Sequence, residues 1–281
     1  MDNNLILKRF FTKSMFHDLL SGKSEEIFQY IVERYVKEPD GKDYSTLISE
    51  VYAFMNKNYR TEYYYKNTML NKLLLNKPHN LKTTVALSEL PIGQSKADFV
   101  LINGHGIVYE IKTELDNMER LKAQIDDYYK AFLNVVVVTY PENIEKVRSL
   151  VNDNVGLAEL TKRSAVNIVR MPQDVTNQLD YSAIFNILRK KEFENILKIN
   201  NIILPQVSQF LYYRECFRLL KGINIEKLQK QMLLQLKQRV YQETEKPYMQ
   251  VQKELKSILY FDGSNFDYSG IDVLMSKTYG D

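Results

Sequence analysis

Ser95-Lys-Ala-Asp98-Phe-Val-Leu-Ile-Asn-Gly-His-Gly-Ile-Val-Tyr-Glu110-Ile-Lys112 decides the fold, and Gln124-Ile-Asp-Asp-Tyr128 extends it. Two apolar, strand-like runs flank a turn at Asn103 to Gly106. Asp98 sits on the first run. Glu110 and Lys112 sit two apart on the second, and the period of a strand puts both on one face. An apolar strand that spends two same-face positions on a carboxylate and an ammonium incurs a large desolvation cost unless a metal or substrate lies over them. Asp98 with Glu110 is a hard-oxygen pair suited to Mg²⁺ or Mn²⁺, and Lys112 beside it can touch a scissile phosphate or an attacking water. The bland reading of the same residues is an ion pair of the acids with Lys112 or Lys96.

Register makes the reading testable. Directly opposed residues of an antiparallel hairpin share a face. Asp98 therefore stands opposite Glu110 only if the connection has an odd number of residues or carries a bulge. Asn103-Gly104-His105-Gly106 suits a three-residue loop, because Gly104 or Gly106 can take positive φ. A two-residue loop at Gly104-His105 would throw the two acids onto opposite faces.

Around this hairpin the chain predicts a strand at Val85 to Leu90, strands at Lys96 to Ile102 and Ile107 to Thr113, and a helix from a capping box at Asp116 and Glu119 to about Phe132. Val135 to Val138 is continuous and β-branched, as in a strand buried on both faces. A helix at Pro141 to Leu150 and a strand pair at Val155 to Leu160 and Val166 to Arg170 follow. Upstream, helices are expected at Leu5 to Leu20, Glu25 to Lys37, Tyr44 to Met55 and Glu62 to Leu75, the last capped by Thr61 and stopping before Pro78. Downstream, helices are expected at Tyr181 to Lys198, Val207 to Leu220 and Ile225 to Gln242. The fold class is α/β, a mixed sheet flanked by helices, with the meander antiparallel and Val135 to Val138 joining it in parallel.

Gln124 and Tyr128 are four apart, on one helix face. Gln124 can donate and accept together, holding a metal-bound water or a phosphate oxygen. Tyr128 can bond a phosphate or stack on a base, or else pack beside Leu121, Ile125 and Phe132. Lys66, Asn67, Lys96 and His105 are further candidates for substrate contact, each with the alternative of simple exposure. His17, His79 and His105 are dispersed and suggest no structural zinc. Asp126-Asp127 reads as a solvated helix face.

Asp98, then Glu110-Ile-Lys112 on the next strand, then Gln124 and Tyr128 on the next helix, together resemble the PD-(D/E)XK nuclease superfamily. The Gln124-Tyr128 element resembles its RecB and lambda-exonuclease branch. The longer string Glu89-Leu-Pro-Ile-Gly, Ser95 to Asp98, Tyr109 to Lys112 and Glu119 to Gln124 is similar to a group of uncharacterised bacterial proteins of that superfamily. The similarity covers roughly residues 60 to 172, and Ala97 replaces the nominal proline. The resemblance implies a restriction-endonuclease-like core over 61–172 between helical regions at 1–60 and 173–281. It also implies a backbone-carbonyl ligand at Ile111 and a further acidic ligand at Glu89 or Glu62.

Composition fits this. The chain has 281 residues, 44% hydrophobic and 26% charged, with 20 tyrosines and no tryptophan. That length favours one large or two modest domains. The single Cys216 precludes an intramolecular disulfide and fits a reducing cytosol. Lys8, Arg9 and Lys13 interrupt any signal-like opening, and no apolar run is long enough to span a bilayer, so a cytoplasmic protein is expected. Net charge is only +3, yet Asn186 to Lys256 holds 14 Lys and Arg against 7 Asp and Glu, a net +7. A basic helical region can grip phosphates, or simply be a solvated face. The leading expectation is a Mg²⁺-dependent (or Mn²⁺-dependent) phosphodiesterase acting on DNA, with RNA second. Its rivals are a catalytically idle nucleic-acid-binding module using Tyr212-Tyr213, and a protein-interaction role for the flanking helices in repair, mobile-element or phage-defence settings.

Overall fold

The computed structural model describes residues 5–76, 83–241, 247–249, 251–262 and 267–280. By contact the chain divides into two compact units. The first contains the described residues up to Asn76, Thr113–Leu115 and the described residues beyond 245. The second contains the stretch to Lys112 and 116–244. The helix that starts at Glu62 thus clusters with the N-terminal helices, and the helices from Tyr181 to Tyr241 cluster with the sheet. Pro78, His79 and Gln242 lie outside the described residues.

The first unit is helical. Its elements are α1 (Leu5–Phe10), α2 (Lys13–Leu20), α3 (Glu25–Tyr35), α4 (Tyr44–Asn58) and α5 (Glu62–Met69), which runs on as a π-helix over Leu70–Leu75. The opening helix expected over Leu5 to Leu20 is broken, because Thr12 turns extended and its hydroxyl caps Met15 N–H. The end of the chain folds back onto these helices. Tyr44 N–H donates to Lys277 O and Gly41 N–H to Tyr279 O, while Tyr279 N–H donates to Lys42 O. Asn67, buried, donates from Nδ2 to Lys253 O at 2.9 Å and accepts Ser257 N–H at 3.1 Å. Such long-range ties have no local sequence signature, so 245–281 read as part of a separate region.

The second unit is a six-stranded mixed sheet flanked by helices, with strands in sequence order: β1 (Val85–Ile92), β2 (Ser95–Asn103), β3 (His105–Lys112), β4 (Asn134–Thr139), β5 (Gly156–Leu160) and β6 (Val166–Arg170). The first three form an antiparallel meander, β4 and β5 each add in parallel, and β6 returns antiparallel. Parallel addition requires crossovers, supplied by α6 (Leu121–Tyr129) and α7 (Ile144–Leu150). The Val135 to Val138 run is buried throughout, as its β-branched composition implied. Pro91 is accommodated because β1 is an edge strand.

α8 (Tyr181–Ile187), α9 (Lys190–Ile199), α10 (Gln209–Leu220) and α11 (Ile225–Tyr241) complete the unit. The single helix expected over Tyr181 to Lys198 breaks at Arg189, whose N–H is capped by Glu192 Oε2 at 2.7 Å. One core joins Val100, Val108 and Val137 of the sheet to Ile125 and Tyr128 of α6 and to Phe193 and Met232 of α9 and α11. No described helix is long and apolar enough to cross a membrane.

Candidate active site

The β2–β3 hairpin closes with Ile102 opposite Gly106 and Asn103 opposite His105, leaving Gly104 at the tip with φ 72°. This is the odd connection. Continuing the register from Phe99↔Tyr109 sets Asp98 opposite Glu110. On the other side, Ser88↔Phe99 and Leu90↔Ala97 bracket Glu89 opposite Asp98. Three acids therefore occupy one row across β1, β2 and β3.

The row grades from solvent to core. Glu89 is exposed, with Lys96 Nζ 3.3 Å from its Oε2. Its φ of 55° is left-handed, where a non-glycine residue costs about 1–3 kcal/mol. The distortion falls where the β1–β2 ladder skips a pair. Oxygens of Glu89 and Asp98 come within 4.8 Å of each other. Asp98 is half-buried, and its Oδ2 accepts Ile111 N–H at 2.8 Å.

Glu110 is 1% exposed and Lys112 is buried, as befits a strand paired on both sides. Each has partners there. Lys112 Nζ lies 2.8 Å from Glu110 Oε1 and donates to Gln124 Oε1 at 2.9 Å. Tyr128 Oη donates to Glu110 Oε2 at 2.6 Å. Burial, then the negative charge of Glu110 and its hydrogen bond, push the Tyr128 phenol far above its ordinary range. It is thus a fixed donor at any working pH. Its ring is wholly buried, so this tyrosine orients an acid and offers no stacking surface.

Two supports were not legible beforehand. Buried Thr139, ending β4, donates to Lys112 O at 2.7 Å, and Asn143 Nδ2 donates to Thr139 Oγ1 at 2.9 Å. Asp127, read as a solvated position, is instead buried. It accepts Gln94 N–H at 3.0 Å, the Ser95 hydroxyl at 2.7 Å and Lys130 Nζ at 2.7 Å. Burial alone would raise its pKa, but the bonds from Lys130, Ser95 and Gln94 hold it below the usual carboxylate value. The turn it grips needs Gly93, with φ +61°, since a Cβ there would lie 2.5 Å from Asp127 Oδ1. Asp127 thereby ties the β1–β2 turn to α6. The only signal was a glycine preceding Gln94-Ser95.

The second unit thus brings together Glu89, Lys96, Asp98, Glu110, Ile111, Lys112, Gln124 and Tyr128. Glu62 and Lys66 belong to the first unit, where they pair at 2.5 Å in successive turns of α5. Asn67 is spent on the backbone of the returning chain, and His105 is exposed at the hairpin. The capping box at Asp116 and Glu119 does not form. Asn117 Oδ1 accepts Glu119 N–H, and α6 starts only at Leu121.

Residues 55–259 match the model of a family described as Bacteriophage P4 protein cII. Protein cII of Enterobacteria phage P4 is 23% identical over 149 residues, covering 52% of this chain and 55% of the relative. The tRNA uridine 5-carboxymethylaminomethyl modification enzyme MnmG of Bacillus velezensis is 26% identical over 170 residues, 55% of this chain and 26% of that enzyme. Its Bacillus subtilis counterpart is 27% identical over the same shares. The chain thus spans about half the length of the phage relative and about a quarter of the tRNA-modifying ones. A solved protein of unknown function from Silicibacter pomeroyi superposes with a TM-score of 0.31 at 15% identity, over 43% of this chain and 80% of that one, too slight a likeness to bear on the fold.

Proposed function

The chain belongs to the bacteriophage P4 protein cII family, and we propose that it is a Mg²⁺- or Mn²⁺-dependent nuclease hydrolysing phosphodiester bonds in DNA. The observation that carries this is the row Glu89–Asp98–Glu110 ending against a buried lysine. A structural ion pair needs one acid. A row of three, one of them in a strained conformation, is what a hard cation would select. The pattern's resemblance to PD-(D/E)XK nucleases points the same way.

The donor set is all oxygen and fits a hard divalent ion. The carboxylates of Asp98 and Glu89 would hold it. The carbonyl of Ile111 is turned to the same side as the N–H that Asp98 accepts, because N–H and C=O of one strand residue point together. Glu110 would join through Oε1, the oxygen now on Lys112. When bound, the ion supplies a Lewis acid and a water of lowered pKa. The chain's own part is positioning and charge. Tyr128 holds Glu110 by its other oxygen, Gln124 holds the Lys112 ammonium, and Thr139 with Asn143 fixes the Lys112 backbone. Lys112 presents a charge to a phosphate oxygen and acts as an electrostatic stabiliser. Lys96 sits at the exposed end of the row, beside Glu89, and would meet the next phosphate.

The test is incubation of plasmid and linear DNA with Mg²⁺, Mn²⁺ or EDTA, with an RNA run alongside because the MnmG relatives are named for tRNA modification. Asp98→Asn, Glu110→Gln and Lys112→Met should each abolish cleavage, their losses not adding because they act as one unit. Gln124→Ala should slow it less. Full activity in the Asp98→Asn/Glu110→Gln double variant would end the proposal. A second reading, a catalytically idle nucleic-acid-binding module, draws on Glu110 having both oxygens engaged. It predicts DNA binding without cleavage under every metal condition.

A further inference from the structure

α10 carries Phe210, Tyr213, Arg214 and Phe217 at i, i+3, i+4 and i+7, with Lys221 one turn on as its C-terminal cap. At helical spacing these form one stripe. Phe210 is 92% exposed and Tyr213 52%. The Tyr213 ring is braced by Phe193 and Phe185, with edge contacts at 5.1 and 5.8 Å between centroids. Lys221 Nζ sits 4.7 Å from the centre of the Phe217 ring. Arg214 and Arg218 approach one carboxylate, Glu215, at 3.7 and 2.8 Å, so the cluster keeps a surplus of positive charge. Glu215 lies about 100° round the helix from Arg214, off the stripe. Tyr212 is not part of it. Its hydroxyl donates to Glu194 at 2.8 Å and Lys190 covers its ring.

We propose that this face of α10 binds single-stranded nucleic acid, with Phe210 and Tyr213 stacking on bases and Arg214, Arg218 and Lys221 meeting phosphates. Open aromatic rings interleaved with cations along one line match the alternation of base and phosphate in a strand. A protein-docking patch would gather its apolar residues centrally and leave charges at the rim. A duplex keeps its bases stacked inside, out of reach of these rings. The proposal stands apart from the acidic row and is tested without metal.

The measurement is fluorescence anisotropy of a fluorescein-labelled oligothymidylate with the 281-residue chain in EDTA. Phe210→Ala leaves the fold alone because the ring is open to solvent, and it should weaken binding about tenfold. Arg218→Ala with Lys221→Ala should lower the slope of log affinity against log salt by about 1.4. The same strand annealed to its complement should bind more weakly and ignore Phe210→Ala. Wild-type affinity in Phe210→Ala, or an equal loss for duplex, would overturn the proposal. So would a wild-type dimer in sedimentation that both Phe210→Ala and Ile203→Ser dissociate, since Ile203, 85% exposed, would then mark a contact with a second copy. A wild-type chain that binds the oligonucleotide but cleaves nothing supports this surface while refuting the nuclease.

Discussion

Removing the Tyr128 hydroxyl tests how Glu110 survives in the core. Glu110 is 1% exposed, and its two carboxylate oxygens take a 2.8 Å contact from Lys112 and a 2.6 Å bond from Tyr128. Tyr128→Phe keeps the ring, which fills the space between sheet and α6, and deletes only the donor. A hydrogen bond to a charged group contributes about 1.5–3 kcal/mol. Left buried with one oxygen short of that donor, Glu110 should destabilise the second unit by that amount. For a unit of this size the melting temperature should fall by roughly 3–12 °C. Glu110→Gln alone breaks the ion pair and strands the Lys112 ammonium, costing about 3–5 kcal/mol. With glutamine at 110 the hydroxyl faces a neutral partner, so Tyr128→Phe should then cost about 1 kcal/mol. The coupling between the two sites is thus about 0.5–2 kcal/mol, read from urea unfolding of the chain by circular dichroism in a double-mutant cycle. Additivity within about 0.5 kcal/mol would show that the hydroxyl does not hold the carboxylate, and the role given to Tyr128 would fall.

Glu89→Gly should raise stability by up to about 1 kcal/mol, since glycine relieves the φ of 55°, yet lower cleavage; a stability loss in thermal melts would contradict the strain. Gly93→Ala should cost well over the roughly 1 kcal/mol expected of Gly104→Ala. Both glycines are left-handed, but only at 93 does a Cβ strike Asp127, and equal melting temperatures would refute the clamp. Glu192 ties α9 to α11 through Arg239 at 2.6 and 2.7 Å. Burial raises its pKa, but the Arg239 bonds and the Arg189 N–H hold it below 4.5 overall. A depressed folded value gives stability that is complete above about 4.5 and lost as pH falls through the folded pKa. Glu192→Gln should therefore flatten the acid limb of a stability–pH curve below about 4.5, and an unchanged limb would assign it elsewhere.

The meander and its parallel neighbour were legible because their signals are local. Alternation marks β2 and β3, four consecutive valines mark β4, and a single glycine between Asn103 and His105 sets the register that aligns Asp98 with Glu110. The acid–lysine spacing on β3 and the Gln124–Tyr128 spacing on α6 could likewise be read directly, since strand and helix periods alone determine which side chains share a face. Tertiary structure decided the rest. Tyr128 could have been core or contact, and it became a buried donor only because α6 crosses over Glu110. Asp127 looked solvated until Gly93 brought a turn onto it. Glu89 joined the row through a left-handed kink that no propensity foretold. Residues beyond 245 went to the first unit through bonds to Asn67 and to the Gly41–Tyr44 backbone, some 200 positions away. Local periodicity specifies the elements and their faces. Pairing charged groups across distant segments depends on which elements meet, and the free energy of burial settles that only once the whole chain has collapsed.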